Sequence, residues 1–195
     1  ENTIRILKNA PERVSNENKK ISYERALKIS KQLQENDKRR DVLIKLEGLF
    51  SKVKGLPKQL AQNALNIYGL SAYEIINKNP YLVIEINRIG FVLADKIAMI
   101  ACNIKKDDKQ RIKAGTLYII RQHMQESGDV WIHPNIILEK MVKLIGNELN
   151  LSTVKNILNN LTTEQILVKY NKFITLKQYA DDENKICEHI RRFLI

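Results

Sequence analysis

Cysteine is nearly missing from this sequence, which holds only Cys102 and Cys187. Two cysteines cannot build a disulfide framework, so the expectation is a chain from a reducing compartment, the cytoplasm. Neither belongs to a Cys-x-x-Cys pair, and the three histidines, His123, His133 and His189, are scattered, so no zinc site is expected. Long apolar runs are missing too. The longest, Ile97–Cys102, falls far below the roughly 20 residues that cross a bilayer. No basic-then-apolar leader opens the chain, and no membrane partner is expected. The Gly-x-x-x-x-Gly-Lys-Ser/Thr phosphate loop is also missing, which excludes an ATP site of that type. The first residue is Glu1 rather than Met, as in a fragment of a longer protein.

What is present is an ordinary folding composition with a strong basic bias. At 195 residues, 44% hydrophobic and 28% charged, the chain can bury a core without staples and is not of the disordered class. Lys and Arg number 33 against 22 Asp and Glu, a net charge of +11. Residues 1–60 hold 15 basic and 8 acidic side chains, residues 61–128 hold 9 and 6, and residues 129–195 hold 9 and 8. A polyanion would therefore be drawn most strongly to the first sixty residues.

Apolar spacing is mostly helical. Tyr23, Ala26, Leu27, Ser30 and Leu33 make one run, and Val42, Leu46, Leu49, Phe50 and Val53 a second. Leu60, Ala64, Leu65 and Ile67 form a third, entered through Leu56-Pro57. Asn79-Pro80 reads as a helix start, with Asn as cap and Pro in the first turn. Asp107 or Asp108 caps a long helix running to Ser127 and closed by Gly128. Val130-Trp131-Ile132 then reads as a short strand stopped by Pro134, with Trp131 in the core or, on the other reading, stacking on bases. Helices are expected over 135–145 and 152–161, the latter capped by Ser152. The runs 166–170 and 173–176 flank Asn171-Lys172 as a hairpin, and a charged helix is expected over 181–194. Helix, short strand, helix, helix, hairpin is the order of a winged-helix module.

One pattern repeats at an offset of 68 residues. Lys20-Ile21-Ser22-Tyr23-Glu24-Arg25-Ala26-Leu27-Lys28-Ile29 aligns with Arg88-Ile89-Gly90-Phe91-Val92-Leu93-Ala94-Asp95-Lys96-Ile97, each downstream of a proline, Pro11 or Pro80. Gly55-Leu56-Pro57, with Ala61 four residues beyond Pro57, is a weaker third copy. A small residue permits a tight reversal, and the Ala lets two helices pack closely. The pattern resembles the helix-hairpin-helix motif, whose turn is usually Gly-hydrophobic-Gly. Such a hairpin presents backbone N–H groups at the start of its second helix, where phosphate binds without base readout. Lys20, Ser22 and Arg88 stand where that motif carries glycine, so a cost in backbone conformation is expected at the turns.

The stretch Asn79-Pro80-Tyr81, then Ile89-Gly90-Phe91 and Ala94-Asp95-Lys96-Ile97-Ala98, resembles the region ahead of the motor in RecD/TraA-family DNA helicases of the long, RecD-like form. The resemblance extends through Arg111-Ile112-Lys113-Ala114-Gly115, Gly128, Trp131-Ile132-His133-Pro134, the 167–176 hairpin, Tyr179 and Glu183, and is looser over residues 1–78. It implies the amino-terminal accessory region of an ATP-dependent, 5′-to-3′ helicase of DNA repair and recombination, with the motor beginning about where this chain stops. ATP and Mg would belong to that motor, and this fragment would hold no cofactor and catalyse nothing.

The expected fold is mainly α: a tandem helix-hairpin-helix array over 1–104, a winged-helix-like module with a short β-hairpin over 105–180, and a helix over 181–195 leading toward the motor. The expected DNA-binding residues are Lys19, Lys20, Ile21, Ser22, Arg25 and Lys28 in the first turn. In the second they are Arg88, Ile89, Gly90, Phe91 and Lys96. Backbone amides would supply the hydrogen bonds and the cations the attraction. The expected partners are single-stranded or tailed duplex DNA and the protein's own motor. The alternative is a scaffolding module docked on that motor or another protein. Asp107-Asp108 and Asp181-Asp182-Glu183 sit at helix starts, where the dipole accounts for them without a metal. His133 before Pro134 reads as structural.

Overall fold

The computed structural model describes residues 2–86, 89–146 and 149–193. The chain is mainly helical with one two-stranded antiparallel hairpin, and it divides into two compact units, Glu1–Ile89 and Gly90–Ile195.

In the first unit, α1 (Asn2–Asn9) and α2 (Pro11–Glu17) precede a 28-residue helix, α3 (Tyr23–Phe50). The two apolar runs read from the sequence are the two ends of this one helix. Between Ser30 and Leu46 no side chain of α3 is fully buried, which is why the apolar face looks interrupted in the sequence. Gln34, Glu35, Lys38, Arg39 and Arg40 are good helix formers and no Gly or Pro intervenes, so local propensity carries the helix across. Its amino-terminal half is tied to α1: Ser30 Oγ and Gln34 Nε2 donate to the Lys8 carbonyl at 2.6 and 3.0 Å, and Lys8 pairs with Asp37. Its carboxy-terminal half packs on α4 (Leu60–Tyr68) and α5 (Ala72–Lys78), burying Leu46, Leu49, Phe50, Leu60, Ala64 and Ile76.

A 3₁₀ segment, Pro80–Glu85, follows α5, entered as expected through Asn79, whose side chain accepts from the Tyr81 amide at 3.3 Å. Tyr68, at the end of α4, clamps this segment. Its hydroxyl lies 2.9 Å from both the Leu82 carbonyl and Glu85 Oε2, sharing its one proton between them. Burial, then the hydrogen bond and charge of Glu85, push the phenol up to about 12. The protonated phenol is thus favoured by folding, and its contribution is complete below pH 10 and lost as pH rises toward 12. The melting-temperature advantage of the native chain over Tyr68→Phe should therefore shrink steadily in a pH series from 9 to 12. An advantage independent of pH would contradict the clamp.

The second unit begins with α6 (Phe91–Lys96), continued by a π-helical turn, Ile97–Ala101. Its long helix, α7 (Lys109–Ser127), is bounded as read from the sequence: Asp108 accepts from the Gln110 amide at 2.7 Å, and Gly128 closes the helix at φ 77°. Then come α8 (Pro134–Ile145), α9 (Leu151–Thr163), β1 (Leu167–Tyr170), β2 (Phe173–Leu176) and α10 (Lys177–Phe193). Ile112, Ile119, Ile120, Ile132, Ile137, Met141, Val154, Leu158, Leu161, Leu167, Ile174 and Leu176 form its core.

Several features differ from the sequence expectation or sharpen it. α10 starts at Lys177 rather than at 181, continuing directly from β2, so Asp181, Asp182 and Glu183 lie inside the helix and not at its start. The cap of α9 is Asn150 rather than Ser152: it accepts from the Ser152 amide at 2.9 Å and the Ser152 hydroxyl at 2.7 Å. Asn is an equally good cap and lies one residue before the helix. The 130–132 strand shrinks to a single bridge, Ile132 to Ile174, with reciprocal 2.9 Å hydrogen bonds. Trp131 is only half-buried and outside that core, because alternation along an extended segment sends one neighbour of each pair outward. His133 does prove structural: its Nδ1 accepts from the Asn135 amide at 3.2 Å and caps α8.

No helix among the described residues is long and apolar enough to cross a membrane.

Candidate functional site

Each copy of the repeated pattern carries an alanine four residues beyond Ser22, Pro57 or Gly90, and all three are buried: Ala26 and Ala94 are 0% exposed and Ala61 is 5% exposed. A larger side chain at these places would push the second helix off its neighbour. The pattern thus marks where a turn hands over to a closely packed helix.

The first turn joins α2 to α3. Lys19, Lys20, Arg25 and Lys28 are exposed and Ile21 is half-buried. Ser22 is the cap of α3, at φ −64° and ψ 153°, and its hydroxyl accepts from the Arg25 amide at 3.3 Å. No positive φ is required there, so the expected conformational cost of losing glycine does not arise. The amides of Lys20 and Ile21 are already used, donating to Asn18 Oδ1 at 3.1 Å and the Asn18 carbonyl at 2.9 Å. This turn offers cations but few free amides.

Of the second set, Arg88 lies outside the described residues. Ile89 and Phe91 are 5% and 1% exposed. Phe91 stacks on Tyr118 with centroids 5.6 Å apart, and an added Cβ on Gly115 would come within 3.4 Å of its ring. Neither side chain can reach a ligand, because both are spent on packing; only backbone is left to them, and the Ile89 amide donates to the Ile86 carbonyl at 3.1 Å. Gly90 is exposed at φ −90° and ψ 176°, with nothing within 4 Å of an added Cβ. Unlike a true positive-φ turn, it would tolerate a side chain. Lys96 is exposed.

The turn that matches the motif least well in sequence has the most open geometry. Between α3 and α4, Gly55 stands at φ 84°, exposed, with nothing within 4 Å of an added Cβ. Lys52, Lys54 and Lys58 around it are all exposed, and no ion pair among the described residues holds them. The amides of Lys54, Gly55, Leu56 and Lys58 donate to no acceptor among the described residues. Three exposed cations, a positive-φ glycine and unused N–H groups thus gather at this turn, the kinds of group that attract an anion. Sequence reasoning misses the three lysines because Pro57 occupies the second glycine position; a pattern of Gly-hydrophobic-Pro with lysines on both sides would find them. This turn and the first lie at opposite ends of α3, whose 28 residues span about 42 Å.

Among the described residues, no group of three or more His, Cys, Asp or Glu is placed to hold a metal ion.

Short turns flanked by paired helices, each followed by a buried alanine, define a helix-hairpin-helix protein. Residues 35–131 match the family described as the ATP-dependent RecD2 DNA helicase HHH domain, and this part of the chain belongs to that family. The matched span includes the Gly55 turn and Gly90 but begins beyond the first turn and ends at Trp131. The sequence has no match among curated proteins.

Proposed function

We propose that the chain binds DNA through the phosphate backbone, without reading bases, as an accessory part of a RecD2-type helicase. In this reading the parent enzyme moves 5′ to 3′ in DNA repair and recombination, and the nucleotide and Mg are held by a motor outside this chain. The observation that carries the proposal is the Gly55 turn, with unused amides at Gly55 and three exposed lysines inside the family-matched span. Glycine lets a phosphate approach the backbone closely, and the lysines add charge without base contact. Lys19, Lys20, Arg25 and Lys28 would meet phosphates about 42 Å away along α3. At 3.4 Å per base pair that is about twelve base pairs, so one duplex can span both turns. Gly90 and Lys96 would contribute in the same manner. Residues 105–180 would form a winged-helix-like module that follows this array in the chain.

Fluorescence anisotropy on a blunt duplex across a salt series tests the proposal. Every phosphate left without its cation should flatten the log–log slope by about 0.9, so Lys52→Ala/Lys54→Ala/Lys58→Ala should flatten it by up to nearly three. Lys31→Ala/Lys38→Ala/Arg40→Ala removes equal charge from the exposed middle and flank of α3 and should change it little. If both variants flatten it equally, general surface charge accounts for the binding and the turn has no special role.

One observation favours the docking alternative. On α10, Ile186, Ile190 and Phe193 are 58%, 53% and 87% exposed and recur at helical spacing. Under that reading Ile186→Asp/Ile190→Asp would abolish association with the motor while leaving DNA affinity intact.

A further inference from the structure

The tip of the β1–β2 hairpin carries aromatic side chains that folding leaves in solvent. Tyr170 and Phe173 are cross-strand partners, yet they are 67% and 45% exposed. They share the face opposite the one that sends Leu167, Ile174 and Leu176 into the core. Ile132, bridged to Ile174, joins the core face, and its neighbours Trp131 and His133 join the aromatic one. Trp131 lies 6.1 Å from Tyr170, and His133 meets Phe173 edge-on at 5.9 Å. Trp131 is held from behind by donating from Nε1 to Glu183 Oε2 at 2.8 Å. Beside the exposed rings, in the turn between them, stands Lys172, exposed and in no ion pair among the described residues; Lys169, also exposed and unpaired among them, faces the other side of the hairpin with Ile174. From Leu167 to Leu176 the sequence has no acidic residue.

We propose that this hairpin is a stacking platform for the unpaired bases of a single-stranded nucleic acid. Tyr170 and Phe173 each take the face of a base, and Lys172 meets an adjoining phosphate. Aromatic rings flanking a cation suit a strand whose bases are free to stack; bases in a duplex already stack on one another. A two-residue turn projects both rings clear of the module, and the Trp131 and His133 contacts fix them from beneath. The platform lies in the second compact unit and works by stacking, so it stands or falls separately from the Gly55 turn.

The test uses a twelve-residue oligothymidylate and the full chain. Trp131 is the one tryptophan, so bases arriving at Tyr170 should quench the protein's indole emission. Tyr170→Ala/Phe173→Ala should weaken oligothymidylate binding about 25-fold or more, since each base–aromatic stack is worth about five-fold upward. Blunt-duplex affinity should stay within about two-fold. Tyr170→Phe keeps the ring and should bind like the native chain. Lys172→Ala should flatten the single-strand salt slope by about 0.7, while Lys169→Ala, on the opposite face, should change it little. Undiminished oligothymidylate affinity in the double alanine variant, or indole emission unchanged at saturation, would overturn the proposal. So would loss of self-association in sedimentation with DNA binding intact, which would make the patch an interface between copies. Failure of the lysine variant at the Gly55 turn would leave these outcomes untouched.

Discussion

Asp95→Asn is expected to destabilise the second unit by about 3–5 kcal/mol, the range for breaking a buried ion pair by removing one partner. Arg111 is 7% exposed as a residue, with a side chain only 9% exposed. Its Nε and Nη2 donate to the two carboxylate oxygens of Asp95 at 2.8 and 2.9 Å, and Nη1 donates to the Lys106 carbonyl at 3.0 Å. This two-pronged pairing fastens α6 to the start of α7. Asn keeps the shape and discards the charge, so the buried guanidinium faces a neutral amide in place of the carboxylate. Arg111→Met/Asp95→Leu should cost less than Asp95→Asn alone, because it removes both charges. Urea unfolding followed through Trp131, which lies in this unit, measures the cost; a midpoint shift below that for a surface ion pair would contradict it.

Ile132→Ala should cost about 2–5 kcal/mol, whereas Trp131→Phe should cost only about 1–3. Ile132 is 1% exposed and packed in the core, and its truncation leaves a cavity that the bridge to Ile174 prevents from collapsing. Trp131→Phe keeps an aromatic ring and forfeits chiefly the hydrogen bond to Glu183, a bond to a charged acceptor. Comparing the two midpoints in one denaturant series ranks the sites. The reverse order would mean that the tryptophan anchors the module after all.

These two pairs mark where the sequence is legible and where it stops being so. Arg111 stands out in the sequence only as part of a family-like string; nothing in the spacing of Asp95 and Arg111 says that they meet. Their partnership depends on how α6 and α7 cross, which is a long-range outcome. Trp131 and Ile132 both have the β-propensity of a strand, and alternation alone cannot say which of them faces inward. The bridge to Ile174, forty-two residues away, chose Ile132.

Local chemistry, by contrast, is legible. Asp108 and Gly128 bound α7, Asn79 and Pro80 open the 3₁₀ segment, and Asn171 at φ 53° turns the hairpin, because each acts on amides or torsions within a few residues of itself. The spacing of Ala26, Ala61 and Ala94 fixed three places of close helix packing. What tertiary structure decided was which turn remains open. Asn18 consumes the amides of the first turn, the core absorbs Ile89 and Phe91, and Gly55 is left with its N–H groups unused between lysines. A motif specifies a turn by short-range sterics, but whether that turn's polar groups face solvent depends on every element packed around it.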